Sequence, residues 1–358
     1  MRVAGIPVWG GYRRSTVITR LGVGVSAFSL LILLVLLISL SVGPVSIPVR
    51  HIAASLAGVV GFDVGEATRT QELVILQIRL PRIIVGMAVG MALGVAGATM
   101  QGVFRNPLAD PGIIGISAGG ALGAVIAIAT GAAGLFFLAL PAFAFIGAMA
   151  ACLIVYGIST VGGHFSMATL LLAGIAVNAF LGALVSAIVV LLPNTGALRE
   201  ILFWLAGGLD SRAWEHVGIA LPPILIGIGI AIVMARDLNL LTLGDDEARS
   251  LGVRVAPVRL LALAAASMVT GVSVAVSGTI AFVGLITPHI LRLILGPDNR
   301  VLIPMSALGG AVFVILADTV ARTIIQPAEL RVGIVTAFVG APFFVVLLIQ
   351  NRGRAGSL

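Results

Sequence analysis

The stretch "RLPRIIVGMAVGMALGVAGATMQGVFRNPLADPGIIGISAGG" spans Arg79–Gly120 and combines a long apolar run with a proline-broken end. Its apolar run, residues 81–104, is long enough as a helix to cross the hydrocarbon core of a bilayer. Four glycines recur within the run at spacings of four, four and three residues: Gly86, Gly90, Gly94 and Gly97. Small residues at such spacings let helix backbones approach closely in membranes. The run therefore predicts a transmembrane helix packed tightly against its neighbours.

The end of this stretch, "RNPLADPG", breaks the helix. Pro107 and Pro111 interrupt it, and Asn106 and Asp110 lie beside them. Irregular backbone at membrane depth must be buried in protein or line a watery cavity, and broken segments often mark transport pathways. The turn is therefore a candidate part of a pathway.

Composition places the rest of the chain in the same class. Of its 358 residues, 59% are hydrophobic and only 10% charged, and the mean hydropathy is +1.19. We predict an all-α polytopic membrane protein with about ten transmembrane helices. Their boundaries are 21–42, 81–104, 112–133, 135–159, 166–192, 216–235, 258–277, 279–295, 303–321 and 332–349.

Charge predicts the orientation. All 21 basic residues are arginine, and thirteen of them fall on the cytoplasmic side if both termini lie there. This topology gives a cytoplasmic tail 1–20, a transmembrane domain 21–350 and a cytoplasmic tail 351–358. The high pI is explained by these loops rather than by nucleic acid, which is not an expected partner. The outer segment 43–80 contains "VRHIAASLAGVVG", a candidate interfacial helix, and the outer segment 193–215 holds Trp204 and Trp214, which suit an interfacial belt.

The most charged stretch, "LGDDEARSLGVRV", spans Leu243–Val255 in a cytoplasmic loop at about 237–257. Asp245 and Asp246 after Gly244 suit a helix N-terminus, and Gly252 suits its end. The helix is either a docking surface for a cytoplasmic protein or part of an ordinary solvated loop.

The residues also limit the source of energy. A phosphate-binding loop of the GxxxxGK[ST] type needs a lysine, which this chain lacks, so the chain carries no such motif. Energy comes either from another polypeptide or from an ion gradient. An ion-coupled transporter usually needs acids near the membrane midplane, and Asp318 is the only strong candidate. The four histidines and the single cysteine form no metal-ligand spacing, and no nucleophile–base pair indicates an intramembrane enzyme.

Several motifs together resemble the FecCD family, the permeases of type II ABC importers for iron chelates, haem and cobalamin. They are "RLPR", "GATMQGVFRNPLADPGIIGISAGG", "LLLAGIAVNAFLGAL", "FWLAGGLDSRAW", "LGDDEARSLGV", "GTIAFVGLITPHILRLILGPDNR" and "ELRVGIVTAFVGAPFFVVLL", in consistent order over roughly residues 20–350. The resemblance implies a type II ABC importer permease fold in the cell inner membrane, working as a permease dimer. It also implies two ATPase subunits, which hold ATP and magnesium, and a periplasmic or lipid-anchored binding protein. The chain itself would bind no cofactor and no metal.

The resemblance assigns roles to particular residues. The ATPase-coupling residues would be Gly244, Asp245, Asp246, Glu247, Ala248, Arg249, Ser250, Leu251 and Gly252. Arg79, Arg82 and Arg322 would meet carboxylates of the binding protein, the alternatives being lipid headgroups or an intrachain pair with Glu329 or Asp318.

A cytoplasmic gate maps to the proline turn and to the start of the fifth helix, at Asn106, Leu108, Met167 and Ala168. Asn178 either faces the pathway or bonds a neighbouring helix. The expected cargo is an iron chelate, with ferric siderophore ahead of haem and cobalamin as the alternative.

Overall fold

The computed structural model describes residues 14–59, 61, 67–161 and 165–355. His164 lies outside these residues. Fourteen α-helices lie in this part of the chain. They are α1 Arg14–Ser41, α2 Val49–Val59, α3 Arg69–Leu73, α4 Leu80–Phe104, α5 Ile116–Ala129, α6 Ala139–Ser159, α7 Met167–Leu191, α8 Thr195–Leu205, α9 Trp214–Leu241, α10 Asp245–Ser250, α11 Val255–Ser277, α12 Val283–Leu295, α13 Asn299–Thr323 and α14 Val332–Ala355.

All ten predicted transmembrane segments coincide with helices. Within the described residues, seven helices are long and apolar enough to cross a membrane: 17–41, 69–104, 139–159, 167–191, 214–241, 255–277 and 299–323. Three shorter apolar helices, α5, α12 and α14, account for the other three segments. We call the end of the bundle that carries α10 the inner end and the opposite one the outer end.

The predicted boundaries were less accurate than the helix count. α5 is shorter than 112–133 because its first residues form a 3₁₀ helix, Pro111–Ile114, which Gly115 ends with a φ of 87°. α1 begins inside the predicted tail 1–20, and α14 continues into the predicted tail 351–358. Pro288 lies within α12.

The glycine-rich helix α4 forms the centre of the bundle. It packs against α9, α11, α12 and α13. In an apolar 18-residue stretch of the span 69–104, which contains α4, 83% of the residues are buried. In the corresponding stretches of α1 and α7, only 6% and 11% of the residues are buried, so these helices form the periphery. A Cβ at Gly90 would lie 2.2 Å from the Gly310 carbonyl oxygen, and one at Gly94 would lie 2.1 Å from that of Ser306. The predicted tight packing of these glycines is confirmed.

The outer end carries two of the shorter helices. The predicted helix in "VRHIAASLAGVVG" is confirmed as α2. The segment 193–215 contains α8, but Trp204 is only 7% exposed, so its assignment to an interfacial belt was wrong. Trp204 packs into an internal apolar cluster, whereas Trp214 is exposed and donates its indole hydrogen to the Leu76 carbonyl at 2.9 Å. The π-helical segment Val74–Arg79, which joins α3 to α4, was not predicted.

Candidate functional site

The charged loop folds into the short helix α10 between α9 and α11. Gly244, with a φ of 136°, precedes it, and Gly252, with a φ of 88°, follows it. The Gly252 N–H donates to the Arg249 carbonyl at 3.0 Å, and the Val253 N–H donates to that of Ala248 at 2.9 Å. These two bonds are a Schellman motif, which needs a left-handed residue at the position of Gly252. The start and the end predicted from the two glycines are confirmed.

Helix α10 has one buried and one exposed face. Ala248 is fully buried and fixes the helix to the bundle. The other face presents both charge and an apolar side chain; its exposed residues are Asp246, Glu247, Arg249, Ser250, Leu251 and Gly252. Asp246 and Arg249 form an exposed pair at 2.7 Å. A partner protein can therefore contact these residues without unfolding the helix.

Asp245 points back into the protein instead. Arg259 Nη2 of α11 donates to both carboxylate oxygens of Asp245, at 3.0 and 3.1 Å. Arg105, which ends α4, donates to Asp245 as well. Burial alone would raise the pKa of the Asp245 carboxyl, but the hydrogen bonds and charges of Arg259 and Arg105 hold it below its usual value. Asp245 thus joins the first residue of α10 to two transmembrane helices.

The proline turn after α4 is held by its own side chains. Arg105 adopts a left-handed conformation with a φ of 52°. The Asn106 carboxamide oxygen accepts from the Leu108 N–H at 2.9 Å, and an Asp110 carboxylate oxygen accepts from the Gly112 N–H at 2.8 Å. Asn106 is exposed and Leu108 half-buried.

Asn178 of α7 fixes this turn to its neighbour. Its amide nitrogen donates to the Gly112 and Ile113 carbonyls at 3.2 and 3.3 Å. Of the two alternatives left open for Asn178, the structure therefore shows the bond to a neighbouring segment. Met167 is half-buried and Ala168 exposed, and both lie about three turns before Asn178 on α7. The proline turn and α7, which contain the two predicted gate segments, thus contact each other at Asn178 rather than at Met167 and Ala168.

The start of α7 is also connected to α10. The Arg259 guanidinium lies over the Phe165 ring at 5.4 Å from its centroid, and Phe165 precedes Met167 by two residues. Sequence reasoning missed Arg105, Arg259 and Phe165. Arg105 directly precedes the proline turn, which was a usable signal, but nothing in the sequence indicates that Arg259 meets Asp245.

The three outer arginines are buried, with Arg79, Arg82 and Arg322 at 4%, 8% and 3% exposure. Arg82 donates twice to one Asp318 oxygen, at 3.0 and 2.8 Å, and once to Glu329 at 2.9 Å.

The other two arginines hold the end of α1 in place. Arg322 Nε lies 3.0 Å from the second Asp318 oxygen, and Arg322 also donates to the Ser39 hydroxyl at 2.7 Å. Arg79 donates to the carbonyls of Leu40 and Val45. The intrachain pairing left open by the sequence is what the structure shows for Arg82 and Arg322, while the docking role of the three arginines remains a prediction.

Comparisons with known proteins agree with this architecture. The model of the FecCD transport family matches residues 30–350. The cobalamin import system permease protein BtuC of Halobacterium salinarum is 41% identical, with 92% of this chain and 96% of that protein aligned. The ferric enterobactin transport system permease protein FepD of Escherichia coli is 38% identical over 96% of this chain and 99% of its own.

A solved structure is also similar. It is described as a metal-chelate type ABC transporter in an inward-facing conformation, and it superimposes with a TM-score of 0.80 at 33% identity, covering 91% of this chain and 98% of the other.

Proposed function

The chain belongs to the FecCD transport family, and on this premise we propose that it carries an iron chelate across the inner membrane as the permease of an ABC importer. The observation that carries the proposal is the family match over residues 30–350 together with a charged helix, α10, at one end of an apolar bundle. A multi-pass permease that works with an ATPase and a binding protein is what the family and the similar structure indicate.

We place the contact with the ATPase on the exposed face of α10. This face combines acids, Arg249 and the apolar Leu251, which is 58% exposed. Such a mixture of charged and apolar groups suits a protein interface better than a lipid surface. ATP and magnesium would be bound by the ATPase, in two copies for a permease homodimer. Because this face must meet a cytoplasmic protein, both chain termini would be cytoplasmic.

The ion contacts of Asp245 supply a route from the ATPase to the gate. When α10 moves, Asp245 would pull on Arg105 at the proline turn and on Arg259, which touches Phe165 before α7. Both predicted gate segments, with Asn106 and Leu108 in one and Met167 and Ala168 in the other, lie directly beside these contacts. An element that touches both sites in this way is what mechanical coupling requires.

The outer arginines remain candidates for docking the binding protein. The side chain of Glu329 is about one-third exposed, and among the described residues it pairs only with Arg82, at Nη1. A carboxylate of the binding protein could replace Glu329 there, while Asp318 keeps its own bonds to Arg82. Arg79 and Arg322 are enclosed more completely and would act by holding this end of the bundle in shape.

The ion-coupled alternative is disfavoured by the surroundings of Asp318. That carboxylate is 2% exposed and is bound by Arg82 and Arg322. Both of its oxygens are engaged in ion pairs within the described part of the chain, whereas an acid that binds a coupling ion needs an oxygen free for that ion. Energy from a separate ATPase fits the structure better.

The similar proteins differ in the cargo for which they are named. One relative is named for cobalamin, another for ferric enterobactin, and the similar structure for a metal chelate. We favour an iron chelate, siderophore ahead of haem, with cobalamin as the alternative.

The test is uptake by cells that lack their own chelate importers and carry this permease with the ATPase and binding protein encoded beside it. Labelled ferric siderophore, haem and cobalamin are supplied separately, with and without a mutation that disables the ATPase. We expect uptake of an iron chelate that depends on the ATPase. Uptake that ignores the ATPase and follows the proton gradient would overturn the proposal.

A further inference from the structure

A second feature of the outer end is a cavity of about 390 Å³ that none of the roles above uses. It lies between α8, the loop 206–213 and the start of α14. Phe203 and Trp204 form an apolar part of its wall. Its charged lining residues are Arg199, Glu200, Asp210, Arg212 and Arg331. Cavities of this size, largely apolar with a few convergent charges, commonly hold small molecules.

Arg212 lies where donors outnumber acceptors. The Ala213 N–H donates to Nδ1 of His216 at 3.2 Å, and Nε2 of the same ring lies 2.9 Å from Arg212 Nη1. A neutral imidazole has one acceptor nitrogen, so one of these two N–H groups faces another donor in either tautomer. His216 is only 6% exposed, which leaves little water to relieve the mismatch.

The guanidinium of Arg212 is also short of acceptors. Its Nε is buried and has no hydrogen-bond partner among the described residues, and no described carboxylate forms an ion pair with Arg212. Burial and the positive charge of Arg82 lower the pKa of Arg212 to about 10. Arg212 as a whole is half-buried, and a partly buried cation with a buried, unpaired nitrogen is costly unless an anion accompanies it.

The other charges of the cavity do not supply that anion. Arg331 lies over the Phe203 ring at 4.3 Å and pairs with Asp210, so this carboxylate is already taken. Arg199 is exposed and has no ion pair with an acid in the described part of the chain. Three arginines thus face two carboxylates, and Arg82 lies close behind them.

We propose that this cavity is a subsite for a carboxylate of the cargo, with Arg212 as its anchor and Arg199 at its mouth. The planar guanidinium of Arg212 can donate two parallel hydrogen bonds to a carboxylate. Phe203 and Trp204 would contact the apolar part of the same molecule. The inference rests on the proposed importer function and narrows the cargo to an anionic chelate, one that carries free carboxylates around its iron.

The test measures binding to the purified permease–ATPase complex without any binding protein. The probes are citrate, ferric citrate and a neutral ferric trihydroxamate, each titrated by calorimetry at low and at high salt. We expect both anionic probes to bind and to weaken as salt rises, because the interaction is electrostatic. The neutral chelate should bind much more weakly than ferric citrate.

Two variants and a control locate the site. Arg212→Gln should weaken citrate binding at least tenfold, and Arg199→Gln should weaken it severalfold. Arg69→Gln is the matched control, because Arg69 is an outer arginine with an 83% exposed side chain that pairs only with Glu72 in the part of the chain that the structure describes. It should bind citrate like the parent. Thermal midpoints of all three show whether each variant is folded, and Arg199→Gln keeps the test valid if Arg212→Gln is not.

Equal citrate affinity in the parent and in both cavity variants, or no citrate binding at all, would overturn the proposal. Unchanged citrate binding combined with weaker capture of the binding protein by Arg212→Gln would also overturn it, since the carboxylate would then come from the binding protein. Neither result affects the importer function, which is decided by ATPase-dependent uptake. Uptake restricted to a neutral chelate would contradict the subsite alone.

Discussion

Asp245 and Arg259 are joined by two hydrogen bonds from one guanidinium nitrogen, at 3.0 and 3.1 Å, and they tie the start of α10 to α11. Arg105 contacts the same carboxylate from the end of α4. The carboxylate is about one-third exposed, so the pairs contribute little to global stability. Their value lies in joining the short helix α10 to α4 and α11, two helices that already pack against each other.

The first prediction distinguishes the role of Asp245, which anchors α10 to Arg105 and Arg259, from the role of the exposed face of α10. Asp245→Asn should lower uptake at least tenfold while ATP hydrolysis continues, because α10 no longer pulls on Arg105 and Arg259. The cost in global stability should be about 1 kcal/mol or less. Uptake and ATP hydrolysis are measured together in proteoliposomes.

Asp246→Asn is the matched control, since the Asp246 side chain is 91% exposed and bonds only Arg249. It should keep hydrolysis and uptake coupled unless the ATPase contacts Asp246 itself, in which case affinity for the ATPase falls. Full coupling in Asp245→Asn would show that the anchor plays no part in transmission.

The second prediction concerns pH. The folded-state pKa of Asp245 lies below its unfolded value, which is about 3.9. Its contribution is therefore fully present above about pH 4 and is lost as the pH falls through the lower folded value. A spin label at Ser250→Cys, with Cys152→Ser to remove the native thiol, should show constant mobility from pH 8 to pH 5 and a rise only in stronger acid. With Asp245→Asn added, high mobility at every pH is expected; a label that stays immobile there contradicts the anchor.

The third prediction tests the contact of α4 with α13. Gly90→Ala places a Cβ 2.2 Å from the Gly310 carbonyl oxygen, so the helices must separate. Overpacking of this kind costs about 1–3 kcal/mol. The thermal midpoint in detergent should fall, together with the yield of monodisperse protein. Gly182→Ala in α7 is the control, because nothing in the described part of the chain lies within 4 Å of its Cβ position. It should not lower the midpoint, since Ala is a better helix former than Gly.

The fourth prediction distinguishes the structural role of Arg82 from its docking role. Arg82→Gln leaves Asp318 with Arg322 alone and Glu329 without a partner, so the permease should lose about 3 kcal/mol of stability even without the binding protein. Glu329→Gln should cost much less, because that side chain is partly solvated. If Arg82→Gln leaves the thermal midpoint intact and only weakens capture of the binding protein, docking is the main role of Arg82.

The fifth prediction concerns Asn178. Asn178→Leu removes the two bonds to the carbonyls of Gly112 and Ile113 and should loosen the proline turn. Hydrogen exchange of residues 106–115 should speed up several-fold, and basal leak of cargo through proteoliposomes should rise. Ser186→Ala, in the same helix but bonded only within it to Gly182, serves as the control and should change neither.

The sequence predicted some of this structure well, and the reason is local. Long unbroken apolar runs that cross a bilayer form helices, because a helix satisfies all of its backbone polar groups within one segment. The glycines at 244 and 252 marked both ends of α10 because both positions have a positive φ, which suits a residue without a Cβ.

Contacts between distant parts of the chain were not predictable in this way. Arg82 meets Asp318 across 236 positions, and Arg105 meets Asp245 across 140. Both pairs depend on how helices are arranged around α4, which hydropathy does not reveal. The prediction that Trp204 lies in an interfacial belt was wrong for a related reason. Tryptophans in an outer segment suggest the membrane interface, but the packing of α8 onto the bundle buries Trp204.

The backbone contact between α4 and α13 also limits how the protein can move. The Gly310 carbonyl oxygen lies 2.2 Å from the position that a Cβ of Gly90 would take, and the Gly90 carbonyl oxygen lies 2.1 Å from the corresponding position of Gly310. Two helices interlocked at this distance cannot slide past each other by a fraction of a turn without collision. We therefore expect them to act as a rigid strut. Any shape change in the transport cycle would then be a swing of α7, together with the proline turn bonded to it, about the α4–α13 pair. The arrangement of α4 against α13 would be the same at both ends of this movement.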